Sequence, residues 1–575
     1  MDRLEHDILI IGGGAAGLRA AIAAAEASSK LSIAIISKVY PMRSHTVSAE
    51  GGLAAVLPAM RSIEYDSFDL HAFDTIKGSD FLADQDAVEF FVKEASDEVI
   101  RLEHWGCPWS RDPDGLIALR AFGGMSVKRT IFAADKTGFH LLHTLFQRTM
   151  MHENISRYDE WFATSLLVEN GHVHGVTAID IKNGELSLIR SEAVIIATGG
   201  AGRVYEFTTN GTIKTGDGMA MAYRAGIPLK DMEFVQYHPT ALPGTGILMT
   251  EASRGEGGYL VNKDGERFLK RYVPKKMELG PRDILSRAII TEIAQGRGVE
   301  GPYGSYVFLD VRHLGKEIIE RKLPFVKELA ENYVGIDPLN EPIPVRPAAH
   351  YFMGGVSTDL AGRTEIAGLY TAGEAACVSI NGANRLGSNS LTECLVFGAA
   401  AGADAAKFAI ENQMNASANP ESTLLMQEEK RIFGEILGNE AGEERVSTIR
   451  AELRSLMERN VGIFRNETAL SEAARVIKSL KERFRLITVE DKGRVFNSEL
   501  LEVLELEMML DVAEAITHSA LMRKESRGAH YRVDYPKRND EQYLSHSLAR
   551  YTKEGPRIDY LPVKITKWKP IERVY

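Results

Sequence analysis

A histidine set just beyond a glycine turn is the most telling chemical arrangement in this 575-residue chain. The turn is Gly12-Gly13-Gly14-Ala15-Ala16-Gly17, and His45 follows within the stretch RSHTVSAEGG at residues 43–52. Gly12, Gly14 and Gly17 suit a tight bend, the close approach of a pyrophosphate and close packing of a helix on a strand. A helix opening at such a turn offers free N–H groups and partial positive charge to an anion. A pyrophosphate-bearing cofactor is therefore expected, and a histidine delivered beside it bears on which cofactor it is and how it is held.

These residues need a scaffold. Asp7-Ile8-Leu9-Ile10-Ile11 reads as a short buried parallel strand, and Ala15 to Ala27 has the composition of a close-packed helix. A second strand, Leu31 to Ile36, runs into Ser37 and Lys38, where an acidic residue ordinarily takes the ribose hydroxyls. Two readings stand at that point: FAD with an unusual ribose contact, or NADP with Lys38 on its 2′-phosphate. Later segments favour FAD. Ala193 to Ile196 leads into Ala197-Thr198-Gly199-Gly200-Ala201-Gly202, and Gly368-Leu369-Tyr370-Thr371-Ala372-Gly373-Glu374 forms a third strand and turn. A cofactor as long as FAD draws on several strand ends in this way.

Eight motifs in order carry a resemblance that runs from residue 7 to the end of the sequence: SKVYPMRSHTVSAEGG, FGGM, FVQYHPT, MTEASRGEGG, ELGPRD, AHYFMGGV, GANRLGSNSL and RKESRGAH. The chain resembles the flavoprotein subunits of the succinate dehydrogenase and fumarate reductase family. In that family the histidine of the SHTV segment carries FAD through an 8α-N-histidyl bond, so the resemblance implies this role for His45. Such a bond withdraws electrons from the ring and raises the flavin potential. The resemblance places further cofactor contacts at Gly12, Gly14, Ala15, Gly17, Ser37 and Lys38, then at Thr46, Gly51, Gly52, Asp217, Glu374, Ser390 and Leu391.

Succinate and fumarate carry carboxylates at opposite ends, so their site needs two separate donor clusters beside the flavin. With 68 basic against 79 acidic residues and a net charge of −11, attraction for a dianion must be local. The resemblance supplies His238 and Thr250 for one carboxylate, His350 and Arg385 for the other, and Phe122 as an apolar wall that twists the substrate. It also implies a proton partner, Arg282, linked to Glu251 and Arg254 as a relay toward solvent. A guanidinium is a poor base, so this role is easier in the reducing direction, where the developing carbanion is strongly basic. Some members of the family place a thiol just before the relay arginine; here Ser253 stands there, and sensitivity to thiol reagents is not expected. Glu50 resembles the fumarate reductase pattern, where succinate dehydrogenases more usually carry glutamine. A carboxylate so close to the flavin would disfavour its anionic reduced form, although direction itself is not fixed by sequence.

Cys107, Cys377 and Cys394 have no CxxC spacing and supply no iron–sulfur or zinc ligand set, and no metal is expected. Electrons must then leave by another route; the family uses a docked iron–sulfur subunit, a membrane anchor beneath it and, through them, the quinone pool. No nucleic acid partner is expected. There is no run of 18 apolar residues, and the first strand starts too early to leave room for a leader peptide, so the expected location is cytoplasmic, peripheral to the membrane through partners.

The fold class expected is α/β: a Rossmann-like FAD-binding domain (1–232 and 350–412) with an inserted α+β capping domain (233–349), a helical domain (424–535) and a C-terminal segment (536–575). The cap carries half the site and excludes water on closing. A polar stretch at 412–422 precedes amphipathic helices, exemplified by 446–459 and 500–522. The last 40 residues read as strand-poor until 561–566; the resemblance implies that this region, with the basic residues of RKESRGAH, faces the flavin and the iron–sulfur partner, whereas by charge alone those residues read as a solvated face. Two rivals are an L-aspartate oxidase-like soluble flavoenzyme, from which His45 discriminates, and a flavin-bearing scaffold that has lost its chemistry.

Overall fold

The computed structural model describes residues 3–58, 65–412 and 421–574; the polar stretch expected at 412–422 lies mostly outside them. The apolar segments at the start of the chain do what their composition demands. Ile8–Ile11, Ile33–Ser37, Ala193–Ile196 and Leu369–Thr371 are almost wholly buried and pair in parallel, with Ile155–Asp159 completing a five-stranded sheet. Continuous apolar runs of this kind suit a parallel sheet covered on both faces. Ala15–Ala27 is a helix on one face, and its small side chains let the helix Asn389–Glu411 approach very closely. At Gly402 an added Cβ would lie 2.1 Å from the Ala20 carbonyl oxygen, so glycine is required there.

Residues 233–349 contribute an antiparallel sheet in the order Val235–Ala241, Ile343–Phe352, Val307–Asp310, Tyr259–Val261. It has its own core, built from residues such as Leu260, Leu285, Ile289, Leu309 and Val345. The strand Ile343–Phe352 runs through position 350, so the chain returns to the nucleotide-binding unit without leaving the sheet.

Helices Val446–Asn460, Glu467–Phe484 and Ser498–Met522 pack together. The amphipathic reading suits the first two. It fails for Ser498–Met522, which is buried on nearly every face from Val503 to Ala520 because it is the central helix. The region read as strand-poor also differs: Ser545–Arg550 and Arg557–Pro562 form an antiparallel pair, and the first of them adds to Leu229–Lys230. The solvated-face reading of RKESRGAH is likewise overturned. Arg523 and Arg527 are completely buried; Arg523 meets Glu233 and Glu525, and Arg527 meets Glu525 and Asp540. Glu525 lies within the motif itself and Asp540 close after it, but Glu233 is remote in sequence, and burial of the whole cluster is not visible from charge counting.

Candidate functional site

One long cavity of 760 Å³ passes over the first glycine turn and reaches the seam between the nucleotide-binding unit and the antiparallel sheet. At its far end lie Ser37, Lys38 and Asp217. Lys38 Nζ donates to Thr215 Oγ1 at 2.8 Å, Asp217 Oδ2 at 2.6 Å and Glu505 Oε1 at 2.8 Å. An ammonium held by two carboxylates is not free to meet a 2′-phosphate, and this removes the NADP reading. The acidic residue at this end of the cavity is Asp217, at the start of the helix Asp217–Arg224, and it also accepts from Thr215 Oγ1 at 2.6 Å.

Midway along the cavity stand Gly12, Gly14 and Ala15. Gly12 has φ +118°, and a Cβ there would lie 2.3 Å from the Ala197 oxygen. The Ala15 N–H is taken by Thr46 Oγ1 at 3.2 Å. Gly17 is not on the cavity wall. It faces back into the turn, where an added Cβ would sit 1.9 Å from the Gly12 oxygen, so its part is to let helix and strand pack. Gly51 and Gly52 line the cavity, and a Cβ on Gly51 would strike the Phe122 ring at 2.6 Å. Glu374 is paired with Lys214, Leu391 contributes apolar wall, and Ser390 Oγ accepts from Arg385 Nη1 at 3.2 Å.

His45 sits on a single 3-10 turn, His45–Ser48, with Nδ1 accepting the Gly211 N–H at 3.3 Å. Its pKa is lowered to about 3 by burial and by the nearby Lys214 and Arg203 cations, so the imidazole is neutral. Glu50 is also buried and lines the cavity, with Oε2 lacking a hydrogen-bond partner among the described residues. Burial, and then Asp135, raise its pKa well above the carboxylate range. Glu50 thus brings to the cavity wall a carboxyl whose charged form is disfavoured by burial and by the neighbouring Asp135.

At the seam the two units face each other. His238, on the buried strand Val235–Ala241, is held through Nδ1 by Thr240, and its buried Nε2 has no partner among the described residues. His350 is held through Nδ1 by Thr209 Oγ1 at 2.7 Å, and the two imidazole centroids are 5.0 Å apart. Burial and the Arg282 cation hold both pKa values well below the usual histidine range. Thr250 caps the short helix Glu251–Gly255 by accepting the Ala252 N–H at 3.3 Å, and its hydroxyl proton remains available. Phe122, buried at 3% exposure, closes the apolar side.

Arg282 opens the helix Arg282–Ala294 and donates through Nε to Glu251 Oε2 at 2.8 Å. Glu251 also accepts the Gly123 N–H at 2.6 Å. Burial works against ionised Glu251, but Arg282 and Arg254 outweigh it and hold its pKa below the ordinary value. Arg254 stands behind Glu251 at 3.5 Å, is fully buried and does not reach the cavity wall, so it does not itself open the relay to solvent. Arg385 is buried, its pKa lowered to about 10 by burial and by Arg282. Its Nε lacks a partner among the described residues, and the guanidinium lies 4.4 Å from the Tyr351 ring centroid.

Sequence reasoning missed Gln236. Its Oε1 accepts from both Arg282 Nη1 and Arg385 Nη2, and its Nε2 donates to Asn384 Oδ1 at 3.0 Å and the Arg385 carbonyl at 2.7 Å. The signal available was its position in FVQYHPT, two residues before His238, which alternation places on the same face of the strand.

An elongated cavity over a glycine turn, ending at unpartnered buried donors, defines a dinucleotide-dependent flavoprotein with an anion site at the flavin end. Comparison with known proteins narrows this class. A model of the FAD binding domain matches residues 7–391, and a model described as the fumarate reductase flavoprotein C-terminal region matches residues 450–575. A fumarate reductase flavoprotein subunit of Mycobacterium tuberculosis is 57% identical over 584 residues, covering 99% of each chain. A succinate dehydrogenase flavoprotein subunit of Rickettsia bellii is 43% identical, covering 99% of this chain and 98% of the relative. A mutant of the Escherichia coli quinol fumarate reductase flavoprotein superposes with a TM-score of 0.97 at 49% identity, covering 100% and 99% of the two chains. The chain belongs to the fumarate reductase and succinate dehydrogenase flavoprotein family, and its cofactor is FAD.

Proposed function

We propose that this chain is the catalytic flavoprotein subunit of a succinate–fumarate oxidoreductase of the fumarate reductase branch, with FAD carried covalently on His45. The observation that carries the reading is the convergence of His238, Thr250, His350 and Arg385, joined by Arg282, on one end of the cavity. Their donors form two clusters, as a four-carbon dicarboxylate requires. His238 and Thr250 take one carboxylate; His350 and Arg385 take the other. The neutral imidazoles act as hydrogen-bond donors, and Arg385 supplies the charge.

FAD, when bound, supplies the hydride donor or acceptor. The chain's residues do the rest. Phe122 closes an apolar wall that helps exclude water, and an anion beside buried arginines is stabilised far more than in bulk solvent. Arg282 holds a proton at its guanidinium and passes it to the substrate carbon in the reducing direction, while Glu251 aims the guanidinium and Arg254 keeps Glu251 ionised. The segment 233–349 acts as a cap that completes the site when closed. Gln236 keeps the two arginines in register.

His45 presents Nε2, because Nδ1 already accepts the Gly211 N–H. Gly12, Gly14, Ala15, Thr46, Glu374 and Asp217 follow the length of the cofactor. The buried Glu50 on the cavity wall and the higher identity to a relative named for fumarate reduction support the branch assignment. No helix among the described residues is long and apolar enough to cross a membrane. The likeness to flavoproteins of quinol-fumarate reductase complexes supports passage of electrons to or from quinone through an iron–sulfur subunit and a membrane anchor, on the cytoplasmic face.

The test is an anaerobic titration of the purified flavoprotein, following flavin absorbance. Bleaching by succinate that fumarate reverses is expected. Bleaching by aspartate alone would replace the reading with an amino-acid oxidase.

A further inference from the structure

Asp283 follows Arg282 in the first turn of the helix Arg282–Ala294, but it enters a buried cluster of charges instead of the cavity wall. Its Oδ2 accepts from Arg573 Nη2 at 2.6 Å and from Arg287 Nη2 at 3.1 Å. Arg573 lies 290 positions away, near the end of a segment without regular structure that starts after the strand Arg557–Pro562.

That segment is fastened along its length. Lys564 N–H donates to Asp84 Oδ1 at 2.7 Å. Gln85 Oε1 accepts the N–H groups of Thr566, Lys567 and Trp568 at 3.1, 2.8 and 2.9 Å, and Gln85 Nε2 donates to the Trp568 carbonyl at 2.6 Å. The strap then delivers Arg573, whose side chain is only 8% exposed, between two units. On one side is Asp283. On the other are the Gly78 carbonyl, 3.2 Å from Nη1, and Asp80 Oδ2, 3.4 Å from Nε. Asp80 is itself immobilised: it adopts φ +55° and accepts from Gly528 N at 2.9 Å and Arg538 Nη1 at 2.8 Å.

We propose that Arg573 is a positioning residue for proton transfer: by bridging Asp80 and Asp283 it fixes the first turn of the helix that carries Arg282. This rests on the reading of Arg282 as proton donor. Without Arg573, Asp283 keeps only Arg287, one turn further along the same helix, so that pair is internal to the helix and does not tie its first turn to Asp80; the contact of Arg287 with the Gly528 carbonyl at 2.7 Å holds the helix a turn further on. A buried carboxylate that has lost one of two cations draws toward other donors or water, and the turn moves with it. A displacement near 1 Å at a reacting group is enough to lower turnover by about 10²-fold.

The experiment measures fumarate reduction by the flavin-loaded full chain carrying Arg573→Ala, with guanidinium chloride added at millimolar levels in a second arm. Flavin content is expected to be retained and KM to change little, while kcat falls by about 10- to 100-fold. The solvent deuterium isotope effect on kcat should rise, because proton delivery becomes the slower step, and guanidinium should restore part of the rate. Adding the change to Arg282→Leu should cost nothing further, since the two act as one unit. Unchanged kcat in Arg573→Ala overturns the proposal, and so does a loss that leaves the isotope effect unmoved and that guanidinium does not relieve. If Arg573→Ala sheds its flavin, Arg573→Lys and Asp283→Asn are read in the same assay: a partial loss of kcat is expected, and full activity in both overturns the proposal. An active Arg282→Leu enzyme would instead remove the underlying reading of Arg282, whatever the strap variants do.

Discussion

Gln236 Oε1 accepts the Nη1–H of Arg282 at 3.0 Å, and the same oxygen lies 3.1 Å from Arg385 Nη2. A neutral amide thus spaces two guanidiniums that would otherwise repel each other at the buried end of the cavity. Gln236→Leu should lower kcat/KM for fumarate by about 10²-fold, because two buried donors lose their acceptor. Gln236→Glu should raise KM more than Gln236→Leu does, since the new carboxylate cancels charge meant for the substrate. Steady-state kinetics of the two variants check both statements.

Arg282→Leu should keep its flavin and lose about 10²- to 10⁴-fold in turnover in both directions, the range of a missing general acid or base. Retained activity in single-turnover reoxidation by fumarate would take Arg282 out of the proton path.

His45→Ser should still bind FAD, because the glycine turn, Glu374 and Asp217 remain. Acid precipitation should then release the flavin into the supernatant, whereas the unmodified chain should keep it in the pellet. Loss of the electron-withdrawing link lowers the flavin potential, so succinate oxidation should suffer more than fumarate reduction.

Gly17→Ala should abolish FAD retention although Gly17 does not line the cavity. The new methyl would meet the Gly12 oxygen at 1.9 Å, and relief requires the whole turn to shift. The visible absorbance of the purified variant gives the result directly.

Stability should fall on both sides of neutrality. His546, buried between Asp231 at 2.6 Å and Asp84 at 3.2 Å, is opposed by burial, but the carboxylates outweigh it and push its pKa up to about 9. Its folded pKa exceeds the unfolded 6.5, so its contribution is complete below 6.5 and is lost as pH rises through 9. His71 behaves oppositely: burial and the Arg129 cation lower its pKa to about 3. The unfolded chain takes up that proton first, so His71 contributes a loss of stability as pH falls below 6.5. His546→Gln should remove the alkaline decline in a thermal melt series while leaving the acid decline in place. An alkaline limb unchanged in the variant would place the titration elsewhere.

What could be read along the chain were the local signals. The helix Ala15–Ala27 and the strand Ala193–Ile196 appear with the ends read from composition, because apolar runs bounded by glycine leave few choices. Partnerships across long separations were hidden. Arg523 looks like surface charge until Glu233, 290 positions before it, is folded against it, and Arg527 is buried with it around Glu525. Ser545–Arg550 was missed as a strand although its hairpin partner Arg557–Pro562 follows directly, because the segment is polar and the sheet that takes it up, through Leu229–Lys230, lies more than half the chain earlier. Gln236 was overlooked since nothing in an amide side chain announces that two arginines will share it.

The fastening of Lys38 by Glu505 has a consequence for the order of events during biosynthesis. The glycine turn emerges early, but Lys38 does not gain its second carboxylate until the helix Ser498–Met522 has been made and packed. At about 5–20 residues per second, this separates the two by roughly half a minute to more than a minute of translation. A ribosome stalled before position 505 therefore carries Lys38 paired with Asp217 alone, its ammonium held by one carboxylate instead of two.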